Sequence, residues 1–170
     1  MAINYATGHD STYRVLGHKF ATNNTRTSTT TSGSSAVTLW TPVGYSKISS
    51  TSELLVRSTL VGHSKHCYPF YGVYTQITIG GTSYNNHTGV QYSIGAYISA
   101  GSVMLFIDQV WTPSMIGNNT GGMNFNINYR SATNTSCRPF KIWNPNSSDE
   151  NRAMGQMGST FYIEEREMLS

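Results

Sequence analysis

The sequence predicts an all-β fold, an antiparallel β-sandwich of about eight strands, and three observations carry that prediction. Residues 123–130, Met-Asn-Phe-Asn-Ile-Asn-Tyr-Arg, interleave Phe125, Ile127 and Tyr129 with Asn124, Asn126 and Asn128. This period of two gives a strand one buried and one wet face. Residues 159–165, Ser-Thr-Phe-Tyr-Ile-Glu-Glu, alternate in the same way only a few positions from the end of the chain. Finally, short strand-like segments recur at regular spacing between Gly, Asn and Pro turns, and no helix-period window of useful length interrupts them, which is the pattern of a sandwich or barrel.

In chain order, residues 1–12 lack periodicity and are expected to form an N-terminal arm, with the sandwich domain over 13–170. Tyr13 to Phe20 is the first expected strand. Residues 22–35 are almost entirely Thr, Ser, Asn and Gly and are expected to be a polar loop. Ala36 to Trp40 reads as a strand stopped by Pro42. From Glu53 to Leu60, Leu54, Val56 and Leu60 alternate against Glu53, Arg57 and Thr59; from Gly72 to Ile79, Val73, Thr75, Ile77 and Ile79 share a face closed by Gly80-Gly81. Residues 85–89 read as a turn, followed by a less regular strand over 90–98. Residues 102–110 put Met104, Phe106 and Val110 on one face with Asp108 in the same register, which calls for a sheet margin or a hydrogen bond to the acid. A further strand is expected within 138–143.

Composition narrows the function classes. Charged residues are 11% of the 170 positions, against about 25% in ordinary soluble domains. Disorder normally combines low hydrophobicity with high charge and few aromatics, whereas 12% of this chain is aromatic, including 11 Tyr. A folded chain poor in Lys and Glu and rich in Tyr has the makings of an oligomer surface. The net charge of +3 is too small and scattered to point to nucleic acid. The N-terminus has no signal-peptide pattern and no segment is apolar over a membrane-spanning length, so no membrane partner is expected and synthesis in a cytoplasm is. Cys67 and Cys137 make no disulfide framework; two buried thiols are the reading, with a single bridge as the alternative.

No catalytic motif stands out. His63-x-x-His66 beside Cys67 invites a metal, but residues three apart on a strand point to opposite faces, and zinc needs four convergent ligands. Glu164 and Glu165 also alternate away from one another, so no carboxylate pair forms. There is no nucleophile elbow, phosphate loop or dinucleotide fingerprint. No metal, cofactor or enzymatic activity is therefore expected. Asn-x-Ser/Thr sequons begin at Asn23, Asn86, Asn118, Asn134 and Asn146; in a chain this rich in Asn, Ser and Thr, without a secretion signal, they are expected to go unused. Tyr68, Phe70, Trp111 and Trp143 lie at strand ends and are candidate exposed aromatic loops for stacking on sugar faces. Set against this is the plainer reading, that Trp40, Trp111 and Trp143 cover the core or a subunit contact.

Several segments then fall into a known pattern. They are the Ser/Thr-rich residues 28–35, Thr38-Leu39-Trp40-Thr41-Pro42, and Ser46-Lys47-Ile48 through Leu54-Leu55-Val56. Phe106-Ile107-Asp108 through Thr112-Pro113, the 125–130 strand and the closing 159–165 strand continue it. Over roughly residues 15–166 the chain resembles the jelly-roll domain that recurs in tailed bacteriophages, at tail-fibre tips and in small decoration proteins. It departs from the pattern in the His-rich 62–68 segment and at Met154 and Met157. The resemblance implies a jelly-roll sandwich, usually a homotrimer, without enzymatic activity.

A fibre tip needs a stalk ahead of it, and about a dozen residues precede the first strand. The first expectation is thus a virion structural protein of the capsid decoration or cement type. It would trimerise on the shell, hold the major capsid protein, and grip the shell or a neighbouring subunit through Ile3, Asn4 and Tyr5. The alternative is a tail-fibre or spike head module that recognises a host surface glycan or receptor. A glycan-cleaving enzyme ranks last, because no acid pair converges.

Overall fold

The computed structural model describes residues 12–28, 37–64, 70–86, 91–93, 101–131, 142–143 and 158–169. Two antiparallel sheets pack face to face. In sheet A, β1 (Tyr13–Asn23) pairs with β12 (Ser159–Met168), β12 with β5 (Glu53–Ser64), and β5 with β9 (Gly101–Trp111). A short pair, β2 (Thr27–Ser28) with β11 (Ile142–Trp143), extends the sheet beside the end of β5. In sheet B, β3 (Val37–Trp40) and β4 (Gly44–Lys47) lie in succession along one side of β10 (Gly121–Ser131). On the other side of β10 lies β6 (Phe70–Ile79), flanked in turn by β7 (Thr82–Asn86) and β8 (Gln91–Ser93).

The expected count of about eight is recovered once interrupted strands are joined. Pro42, which has no N–H for a ladder, falls between β3 and β4. The chain then resumes on the same side of β10, so the two pieces act as one strand. Joining β7 with β8 likewise, and leaving aside the two-residue β2 and β11, gives eight strands. Numbered along the chain, they are ordered 1-8-3-6 in one sheet and 2-7-4-5 in the other. This double Greek-key weave is a jelly roll.

The core lies between the sheets. Leu54, Val56 and Leu60 of β5, Leu105, Ile107 and Trp111 of β9, and Phe161 and Ile163 of β12 meet Val73 and Ile77 of β6 and Met123, Phe125 and Ile127 of β10. The Phe125 and Phe161 rings stand 5.6 Å apart across the interface, and Trp40 meets Phe161 edge-on at 6.2 Å, the tilted geometries that aromatic quadrupoles favour. The β6–β7 hairpin closes on Gly80-Gly81, with φ of 55° and 86°. A two-residue loop with both central residues at positive φ matches the twist of its strands, and glycine reaches that conformation without a Cβ clash. After β9, a single 3-10 turn, η1 (Pro113–Ile116), starts on Pro113 and ends on Gly117 in the left-handed region.

Expected and observed elements differ at four places. The alternation of residues 102–110 is present, but the face holding Met104, Phe106, Asp108 and Val110 is turned to solvent, and Leu105, Ile107, Gln109 and Trp111 point inward. Both sets are apolar enough for periodicity alone to leave the choice open. Asn85 and Asn86 are not a turn; they end β7, and Asn86 is buried. Asn128, expected on the wet face, is buried at a register shift against β3, where its Oδ1 accepts a 2.8 Å hydrogen bond from the Thr38 hydroxyl. Part of the polar 22–35 stretch forms β2.

Gly17 follows a bulge in β1. A Cβ there would lie 2.6 Å from the buried Tyr45 hydroxyl. Gly17→Ala should therefore push the phenol off its hydrogen-bond partner and cost about 1–3 kcal/mol in urea denaturation. A loss within experimental error would mean that the ring yields freely.

Candidate functional site

The most heavily bonded side chain among the described residues is Glu165. On β12 it follows Ser159, Phe161 and Ile163 on the inward face and is fully buried. It lies where the sandwich ends and the 48–52 turn crosses over the core. Its carboxylate accepts from the backbone N–H of Ile48 (2.9 Å) and Ser49 (2.9 Å), and from the hydroxyls of Tyr45 (3.1 Å) and Ser52 (2.5 Å). Burial pushes the carboxyl pKa up, but the hydrogen bonds from Ser52, Ser49, Ile48 and Tyr45 outweigh it and hold it below the ordinary glutamate value. Burial and the neighbouring carboxylate raise the Tyr45 phenol in turn. Lys47, also buried, donates to the Ser49 carbonyl, and burial lowers its pKa against the attraction of Glu165 and Glu167.

Two residues further along β12, Glu167 accepts from Thr51 (2.9 Å) and pairs with Arg14 (2.7 Å). A carboxylate has about four lone-pair sites, and those of Glu165 are taken by protein donors. The cluster is a clamp that ties the last strand to the 48–52 turn, with no free valence for a substrate or metal.

A second buried polar cluster bridges the sheets. The Trp111 indole N–H donates to the Thr75 hydroxyl (3.0 Å), Thr75 donates to Gln109 Oε1 (2.5 Å), and Gln109 Nε2 donates to the Asn86 carbonyl (3.2 Å). Trp111 is fully buried. It is thus not displayed in a loop, which corrects the expectation of an exposed aromatic there: its ring fills the core and its one polar atom is satisfied inside.

The two outer faces differ in character. That of sheet B carries a chain of amide hydrogen bonds across the strands. Thr41 donates to Asn126 (2.8 Å), Asn126 to Gln76 (3.1 Å), and Gln76 to Asn85 (2.9 Å). The outer face of sheet A mixes ion pairs with exposed apolar groups. Arg166 meets Glu53 at 2.6 Å and Arg57 meets Asp108 at 3.4 Å; Asp108 thus has both expected settings, on the outermost strand and with a donor in Arg57. The Tyr162 hydroxyl donates to Glu164 (2.7 Å); burial and this bond push the phenol to about 12. Val15, Phe20, Met104, Phe106 and Val110 are exposed on β1 and β9.

Of the other candidates, Phe70 opens β6 in sheet B and Trp143 closes β11 in sheet A, so they belong to different sheets. Ile3, Asn4, Tyr5, Tyr68, His66, Cys67 and Cys137 lie outside the described residues. Among those described, no three His, Cys, Asp or Glu side chains gather as metal ligands, and no helix is long and apolar enough to cross a membrane. Glu165 was not singled out from the sequence. Its signal was parity, since it shares the odd-numbered face of Phe161 and Ile163 and so must point into the core.

No family model matches the sequence, and no curated protein matches it. By structure the chain is similar to a chain of infectious bursal disease virus, Gt strain, with a TM-score of 0.51 at 11% identity over 99% of this chain and 46% of that one. A chain of the Gx strain gives 0.48 at 13% identity over 99% and 36%, and the VP2 subviral particle of the same virus gives 0.44 at 12% over 99% and 46%. This chain therefore spans less than half the length of those chains. At such identity, the likeness to the Gt-strain chain is one of fold.

Proposed function

We propose that this chain is a non-enzymatic virion structural protein of the capsid decoration type, which associates with copies of itself and covers the shell built by a major capsid protein. The observation that carries this reading is the outside of sheet A, where five large apolar side chains on its two outermost strands face solvent. Exposed apolar surface of that kind marks a contact. The jelly-roll fold, the low charge and the saturation of the buried polar clusters support the same reading. The protein would act by burying area: large permanent contacts cover on the order of 2,000 Å² or more, and three subunits seated over a junction of shell proteins would resist its opening. Ile3, Asn4 and Tyr5 of the N-terminal arm would add strand pairing to the shell or to a neighbouring subunit. The protein would be made in the host cytoplasm and end on the outside of the particle.

Copy number in purified particles, measured by quantitative mass spectrometry, tests the placement. Hundreds of copies in simple ratio to the major shell protein are expected, and a few dozen or fewer would overturn it. Removal of residues 1–10 should abolish particle binding while leaving the unfolding midpoint unchanged; full occupancy by the truncated protein would reject the arm's role.

A second reading, a tail-fibre or spike head that binds host glycan, is favoured by one observation, the neutral amide chain Thr41–Asn126–Gln76–Asn85. A row of amides and hydroxyls suits a neutral polysaccharide. Low copy number, together with binding to host envelope polysaccharide that Gln76→Ala weakens, would select it.

A further inference from the structure

Sheet A has two open edges. Among the described residues β1 pairs only with β12, and β9 only with β5. Each is eleven residues long. A long edge strand offers a row of unpaired N–H and C=O groups, and proteins usually blunt such edges by keeping them short or by placing charge or proline on them. The β9 edge has no proline and a single charge, Asp108, and exposes Met104 (45%), Phe106 (55%) and Val110 (36%). The β1 edge exposes Val15 (52%) and Phe20 (59%).

The charges of the two edges are complementary. β1 carries no acid and presents His18 on its outer face, with Arg14 paired to Glu167 and Lys19 bound to the Gly44 carbonyl, whereas β9 carries Asp108 and no base. Contact of β9 with a second β9 would bring two Asp108 side chains towards one another, and contact of β1 with β1 would gather cations. Contact of β9 with β1 places the acid beside His18. Strand direction agrees with this choice. Sheet A is antiparallel throughout, so β1 and β9 run in opposite directions. A copy rotated about an axis along the strands keeps their direction, so its β1 meets β9 antiparallel and the ladder can continue across the boundary. Such a contact joins two different surfaces, and repetition of it closes a ring when the rotation allows.

We infer that copies of this chain associate edge to edge, β9 of one against β1 of the next. Met104, Phe106 and Val110 are covered by the neighbour's Val15 and Phe20, and Asp108 lies near the neighbour's His18, which shares the outer face with them. The inference deepens the self-association in the proposed function and rests on that reading only for the closed ring of three.

The test is sedimentation equilibrium of the full chain at tens of micromolar, which reads association in solution and not particle binding, so that either proposal can fail without the other. The wild-type chain should be a trimer. Phe106→Glu and Phe20→Glu should each weaken association by more than tenfold, with unchanged circular dichroism because both rings face solvent. An equal mixture of the two variants should recover a heterodimer, since one keeps an intact β1 edge and the other an intact β9 edge. Val110→Glu and Val15→Glu serve as a second pair if a first variant misfolds. A monomeric wild-type chain would overturn the inference, as would Phe20→Glu remaining oligomeric, or a mixture that stays monomeric.

Discussion

Glu165→Gln should lower the stability of the domain by about 3 kcal/mol, because glutamine keeps one acceptor oxygen and turns an NH₂ towards groups that already donate. Ile48 N–H, Ser49 N–H and the hydroxyls of Tyr45 and Ser52 all point at this carboxylate. Each buried donor left unpaired costs about 1–3 kcal/mol, and buried Lys47 loses the attraction of a nearby negative charge. In a domain of this size 3 kcal/mol corresponds to a fall of roughly 6–12 °C in Tm. The effect depends on pH with a definite sign. The folded-state pKa of Glu165 lies below its unfolded value, so its contribution is complete above about pH 4.3, the unfolded glutamate value. It is lost as pH falls through the lower, folded value. Urea midpoints measured from pH 7 down to pH 3 should show wild type and variant converging at the acid end. A variant within 1 kcal/mol of wild type at pH 7, or a gap that widens in acid, would show that the clamp does not hold the turn.

Trp111→Ala should cost about 4 kcal/mol, the usual range for emptying a buried aromatic site being about 3–5 kcal/mol. The ring is fully enclosed, and its N–H is the donor that Thr75 accepts while Thr75 itself donates to Gln109. Trp111→Phe separates the two parts, keeping most of the volume and losing the bond, for about 1 kcal/mol. If Trp111 were instead a displayed binding residue, truncation would change stability by no more than about 0.5 kcal/mol. Guanidinium unfolding of the three proteins decides the matter, and a loss below 1 kcal/mol for the alanine variant would contradict the buried placement.

What the sequence made legible follows from where alternation is one-sided. In β10 the residues between Phe125 and Ile127 are asparagines, so only one face can be inward, and in β5 Glu53 and Arg57 mark the outer set although Leu55 and Val61 share it. β9 has apolar residues in both sets, and a period of two says that faces exist without saying which is buried. The polar contributors to the interior were hidden for a different reason. Asn86, Asn128, Gln109 and Glu165 look like surface residues by type, and become interior ones only because a particular partner on another strand or on the crossing turn satisfies them. Those partners are 23 to 120 positions away along the chain, beyond what local pattern reports. The jelly-roll order itself came from the resemblance, since periodicity could not choose between a sandwich and a barrel.

The position of β12 between β1 and β5 has a consequence for biosynthesis. The strands of sheet B have all been translated by Ser131, so that sheet can pair while the ribosome is still at work. Sheet A cannot. Its β1 and β5 emerge early and flank a gap that only residues 159–168 fill, about a hundred residues after β5, or roughly 5–20 s later at ordinary elongation rates. Through that interval Leu54, Val56 and Leu60 lack Phe161 and Ile163 beside them, and nascent copies on one polysome sit close enough to pair wrongly. The yield of this protein in a cell should therefore be governed by how long the incomplete sheet is shielded, more than by the stability of the finished fold.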